Sequence, residues 1–137
     1  MDKKEQKAFS LIDRVLSFRH AFRGIGIFVR NTHNAWVEIF GGLVVLALGV
    51  WFRITTLEAL FLVISFGMLL MAEAFNTGME VHMNLTSPEF HPYARDTKDI
   101  AAGAVLIAVV VFVAVAAMVF VPHIASYVCH LKAAGTQ

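Results

Sequence analysis

Residues 57–83 read LEALFLVISFGMLLMAEAFNTGMEVHM, and this stretch decides the fold. Residues 59–72 carry no charge, and then Glu73, Asn76, Thr77 and Glu80 follow within two helical turns. A helix begun at Leu57 rises about 1.5 Å per residue, so it reaches Glu73 after about 24 Å and Glu80 after about 35 Å. A bilayer's hydrocarbon is about 30 Å thick, so the segment reads as a span whose acids arrive where it leaves the lipid. Spacings of three, four and seven put Glu73, Asn76, Thr77 and Glu80 on one helical face. Asn and Thr in a span often do no more than hydrogen-bond to a neighbouring helix. Two glutamates need another reason, because an ionisable group at that depth is costly and usually marks a pathway or a reactive site.

The rest of the chain agrees with a membrane setting. A composition of 58% hydrophobic and 15% charged residues over 137 positions is too apolar for a small soluble core and amounts to a single domain. Two more segments are long enough to cross, 35–52 and 99–121, giving an all-α protein with three spans. The first contains Glu38 and ends at Arg53; the third is uncharged after Asp99 and is expected to stop at Pro122. The opening basic region is too long, and the apolar run after it too extended, for a cleavable signal peptide. Nine Lys and Arg residues fall in the N-terminal segment and in 84–98, against Arg53 and Lys132 on the other side. That asymmetry puts the N-terminus and the second loop in the cytoplasm. The lone Cys129 has no partner for a disulfide or a metal and reads as a small apolar residue.

Residues 8–30, AFSLIDRVLSFRHAFRGIGIFVR, separate Phe9, Ile12 and Leu16 from Arg19 and Arg23 at helical spacing. An amphipathic helix lying in the membrane surface is expected there, with a plain anchor as the alternative. Gly24 and Gly26 form only a fragment of a dinucleotide fingerprint, with no strand before them, and no Walker A sequence is present. A nucleotide bound by this chain is held without a P-loop.

The second loop, NLTSPEFHPYARDTKD, adds Glu89, His91, Arg95, Asp96, Lys98 and Asp99. Asp96 or Thr97 is expected to cap the third span, which would set Lys98 and Asp99 in its first turn, where free N–H groups favour phosphate. Asp96 and Asp99 are equally explained as favourable first-turn charges, and His91 as a turn residue. Carboxylates for a divalent ion, a lysine at a helix start and a carboxylate at lipid depth suggest phosphoryl transfer onto an alcohol dissolved in the membrane.

The motifs carry a specific resemblance. Glu73-x-x-Asn76-Thr77-x-x-Glu80, then SPEFHP at 87–92, then Lys98-Asp99 before AAGAV at 101–105, together with FRHAFRGI at 18–25, resemble the small prokaryotic diacylglycerol kinases from about Phe18 to Pro122. The branch that contains the undecaprenol kinases looks most similar. The resemblance implies a multi-pass lipid kinase of the bacterial inner membrane, a homotrimer of three-span subunits with a surface helix and active sites where subunits meet. It implies Glu73 as the general base and Glu80 as a ligand of the Mg²⁺ that accompanies ATP. Asn76, Glu89, His91, Lys98 and Asp99 fall to nucleotide binding. Undecaprenol is the expected acceptor, with diacylglycerol the alternative.

Two positions depart from the family pattern. Thr32 stands where relatives usually carry a second metal-binding glutamate, and Asn84 where an aspartate is common. A divalent site short of one carboxylate holds its ion less tightly, so the chain reads either as a kinase needing more Mg²⁺ or as an impaired relative. Glu38 lies six residues beyond Thr32 and is off its face by more than half a turn. A proton-coupled transporter would also place a glutamate in a span, but it predicts a midplane site and repeats that this sequence lacks.

Overall fold

The computed structural model describes residues 11–134, and every regular element among them is helical. Helix α1 covers Leu11–Asn31, α2 His33–Phe52, α3 Thr56–Thr86 and α4 Pro92–Ala134. The last three are long and apolar enough to cross a membrane. Residues 8–10 of the expected surface helix lie outside the described residues. From Arg14 to Arg30 the side chains of α1 are exposed except for the half-buried Phe28 and Val29, which lie near its junction with α2.

Local chemistry sets the turn between α2 and α3. Arg53 adopts the left-handed conformation (φ 52°, ψ 47°). Its N–H donates to the Val50 carbonyl (3.2 Å), and the Ile54 N–H donates to that of Gly49 (3.1 Å). This pairing satisfies carbonyls that a helix end otherwise leaves open, and it folds the Ile54 side chain back onto Gly49, where a Cβ would sit 2.9 Å from Ile54 Cδ1. Thr55 then opens α3 with a capping box. Its hydroxyl accepts from the Glu58 N–H (3.3 Å), and Glu58 Oε2 accepts from the Thr55 N–H (2.7 Å).

Helices α3 and α4 run antiparallel and pack along each other more extensively than any other pair. Leu62 of α3 and Val119 and Phe120 of α4 are buried together, with Phe52, Ile54 and Phe112 against them. Helix α2 joins this pair through small-residue contact. A side chain at Gly42 would collide with the Phe66 ring, which itself packs on Phe112 at a centroid distance of 5.5 Å. Close backbone approach of this kind is how helices associate in lipid, where apolar burial alone gives no driving force.

The third span departs from the sequence reading at both ends. It begins at Pro92 instead of near 99, because proline suits the first helical position, where its missing N–H costs nothing. Thr97 is no cap. Its hydroxyl donates to the Tyr93 carbonyl (2.8 Å) within the helix. Lys98 and Asp99 therefore lie past the first turn, out of reach of the helix-terminal dipole. Nor does Pro122 end α4, which continues to Ala134. A proline removes one N–H, the donor to Met118, and His123 Nδ1 donates an extra bond to the neighbouring Val119 carbonyl (2.8 Å).

Candidate active site

The acid-bearing end of α3 presents a vertical strip of polar groups. Deepest is Glu73, whose side chain is 1% exposed although it carries an ionisable group. One turn on, Asn76 is buried too. Glu73 Oε1, Asn76 Oδ1 and Glu38 Oε2 are buried atoms with no hydrogen-bond partner among the described residues. All three are acceptors. Leaving such atoms unpaired costs about 1–3 kcal/mol each, so the cluster is completed by something that donates: a proton, a cation or a hydroxyl.

Glu38 belongs to this cluster, lying within electrostatic reach of Glu73 across the contact between α2 and α3. The sequence argument that set it off the face of Thr32 assumed one continuous helix. Thr32 instead precedes α2 in an extended conformation (φ −110°, ψ 110°), so spacing along a helix does not relate the two. The signal that could have found Glu38 was a lone carboxylate within an otherwise apolar span.

Above the acids lies a hydroxyl pair. Thr77 Oγ1 donates to the Glu73 carbonyl (2.9 Å), and Thr32 Oγ1 is 3.1 Å from Thr77 Oγ1. The Thr77 proton being committed, Thr32 is the donor of the second bond. This links the start of α2 to α3 between the levels of Glu73 and Glu80.

Glu80 is exposed, about 10 Å along the axis from Glu73. Farther out, Lys98 Nζ donates to Asn84 Oδ1 (2.8 Å), joining α4 to α3 through the second position that departs from the family pattern. A neutral amide leaves the ammonium charge uncompensated by that contact. Glu89 and His91 are exposed in the short connection after α3, with the His91 ring against Tyr93 (5.6 Å between centroids). Asp99 is exposed on α4. The structure thus draws Glu73 and Asn76 together with Glu38, and ties Lys98 to Asn84. It brings neither Glu89, His91 nor Asp99 into contact with Glu73.

No group of three His, Cys, Asp or Glu side chains among the described residues could hold a metal unaided. Glu80 offers one exposed carboxylate. That suits Mg²⁺, which keeps most of its water and is usually held by one or two carboxylates together with substrate phosphates. The donor set fits an ion that comes with a nucleotide, not a resident one.

Known proteins share this pattern. The profile of the family described as prokaryotic diacylglycerol kinase matches residues 19–120. The chain is 30% identical over 108 residues to the undecaprenol kinase of Bacillus subtilis (strain 168), covering 79% of this chain and 88% of that one. It is 27% identical over 113 residues to the diacylglycerol kinase of a Synechocystis species, covering 82% of this chain and 65% of that one. The match runs through all three long helices and both halves of the polar strip, and the chain belongs to the prokaryotic diacylglycerol kinase family of lipid kinases, with ATP as the phosphoryl donor.

Proposed function

We propose that the protein phosphorylates undecaprenol, with ATP as donor and undecaprenyl phosphate as product. The observation that carries the reading is the set of buried, unpaired acceptor oxygens on Glu73, Asn76 and the half-buried Glu38, with Glu73 set deeper in α3 than the exposed Glu80. A lipid alcohol brings a hydroxyl donor to these unpaired oxygens. Glu73 takes the hydroxyl proton as the oxygen attacks the γ-phosphorus; the bond to the β-phosphate oxygen breaks and ADP leaves. Asn76 orients Glu73, and Glu38 keeps the pair of carboxyls in a site that water does not fill. Glu80 would hold the Mg²⁺ that accompanies ATP, which would draw negative charge from the phosphates. Lys98 adds a positive charge for the nucleotide, with Asp99, Glu89 and His91 in the water-side wall. Positioning and charge neutralisation supply most of the rate in such a transfer.

The similarity to the Bacillus subtilis undecaprenol kinase supports the polyprenol over diacylglycerol. In this reading α1 lies in the cytoplasmic surface of the inner membrane, the acids open to the cytoplasm, and three chains assemble so that a neighbour closes each site. The test is transfer of labelled γ-phosphate from Mg-ATP to undecaprenol and to diacylglycerol, side by side in mixed micelles over a range of Mg²⁺. Faster labelling of undecaprenol is expected. Faster labelling of diacylglycerol reassigns the acceptor, and no product at any Mg²⁺ from folded protein leaves an impaired relative with Thr32 as the first residue to restore.

A further inference from the structure

At the opposite end of the bundle from the acids, α2, the turn after it and the final turns of α4 line an open pocket of about 360 Å³. Its wall includes Trp51, Arg53, His123, Ser126, Tyr127 and His130. The α4 part of this wall lies beyond residue 120, where the match to the family model ends, and at the other end of the bundle from Glu73.

The charge here is one-sided. Glu58 is the only acid between Glu38 and Glu73, and no acid follows Asp99. Glu58 Oε2 accepts from the Thr55 N–H and hydroxyl (2.7 and 2.8 Å), while its Oε1 lies 3.9 Å from His123 Nδ1 without a hydrogen bond to it. Since His123 Nδ1 donates to the Val119 carbonyl, Nε2 is the polar atom its ring has left. Neither the Arg53 guanidinium nor the His130 ring has an ionic or hydrogen-bonding partner among the described residues. Arg53 also occupies a left-handed backbone position that glycine or asparagine would fill with less strain. What arginine adds at that corner is a fixed positive fork suited to a phosphate.

The setting selects the source of the phosphate. Helix α2 has 20 residues, about 30 Å, so Arg53 arrives at the membrane boundary. Trp51 and Tyr127 flank it, as aromatic residues do at headgroup depth, while the last turns of α4 rise above it with Tyr127 and His130. From the pocket between Arg53, His123 and His130, beside Trp51 and Tyr127, we infer a binding site for the phosphate headgroup of an anionic membrane phospholipid.

Trp51 makes the site readable. The chain has two tryptophans, so the full-length protein carrying Trp36→Phe reports from Trp51 alone. Reconstituted in phosphatidylcholine bilayers, it is titrated with phosphatidylglycerol brominated near the headgroup end of its chains, or with equally brominated phosphatidylcholine. We expect phosphatidylglycerol to quench with about fivefold preference, the enrichment that one basic residue gives at a membrane surface. Arg53→Asn, which tolerates the left-handed turn, and His130→Gln each reduce that preference, while Trp51 emission in plain phosphatidylcholine stays unchanged. Lys132→Gln, which removes a charge from the same helix end outside the pocket wall, leaves the preference intact. Equal quenching by the two lipids overturns the site. So does an equal loss on Lys132→Gln, which would mean diffuse attraction, or abolition of the preference by millimolar inorganic phosphate, which would mean a site for the free ion.

Discussion

At the scale of single residues, two carboxyls and a hydroxyl decide the chemistry. Glu73→Gln keeps the volume and removes the proposed base, so kcat should fall by about 10²- to 10⁴-fold while ATP binding persists, measured by single-turnover transfer beside nucleotide titration. Glu38 lies within electrostatic reach of Glu73, so Glu38→Gln should lower kcat and leave KM for ATP unchanged; a rise in KM alone would place it with the nucleotide instead. Thr32 sits beside Thr77, between Glu73 and Glu80. A carboxylate introduced there would stand near the ion proposed for Glu80, so Thr32→Glu should lower the half-saturating Mg²⁺ severalfold, read from initial rates across a metal titration. The shared face of Glu73, Asn76 and Glu80 on α3 was legible because helical spacing is an intrachain property. Glu38 was not, because its relation to Glu73 is made across two helices, and no periodicity along one of them encodes it. The pairing of Lys98 with Asn84, fourteen residues apart, was hidden for the same reason.

At the scale of helices, hydropathy located all three long elements, yet the punctuation rules failed at α4. Proline marks a boundary in water, where freed carbonyls can be hydrated and the chain has alternatives to a helix. In lipid an interrupted helix exposes backbone with nothing to satisfy it, so α4 passes through Pro122. At its other end the same residue type does begin the helix, since Pro92 at the first position gives up no bond. The turn at Arg53–Thr55 could be located from Arg53 alone, although the left-handed backbone of that residue is set by the carbonyls of Gly49 and Val50. Association of α2 with α3 depends on the absence of a side chain at Gly42. Gly42→Leu should drive the Phe66 ring off its seat against Phe112 and cost about 1–3 kcal/mol, seen as a lower Tm in detergent with the helix content retained.

At the scale of the whole molecule, apolar surface outweighs apolar core. Phe40, Val50, Phe75, Ile100 and Met118 are among the many large side chains left exposed, while Leu62, Leu69, Val119 and Phe120 are buried. A single chain therefore offers most of its apolar faces to lipid or to other copies of itself. Native mass spectrometry from a mild detergent should give the mass of three chains if a neighbour completes each site. A single-chain mass with full activity would confine the site to one subunit.

Between Phe52 and Thr56 the chain reverses in three residues. So short a reversal leaves α2 no means of crossing while α3 waits in water, and during synthesis the two must enter the bilayer as a hairpin. Glu38 and Glu73 then go in side by side, and each meets its companion carboxyl and Asn76 at the moment it leaves water. The tight reversal that delivers both acids to one depth thus also keeps either of them from being stranded alone among acyl chains.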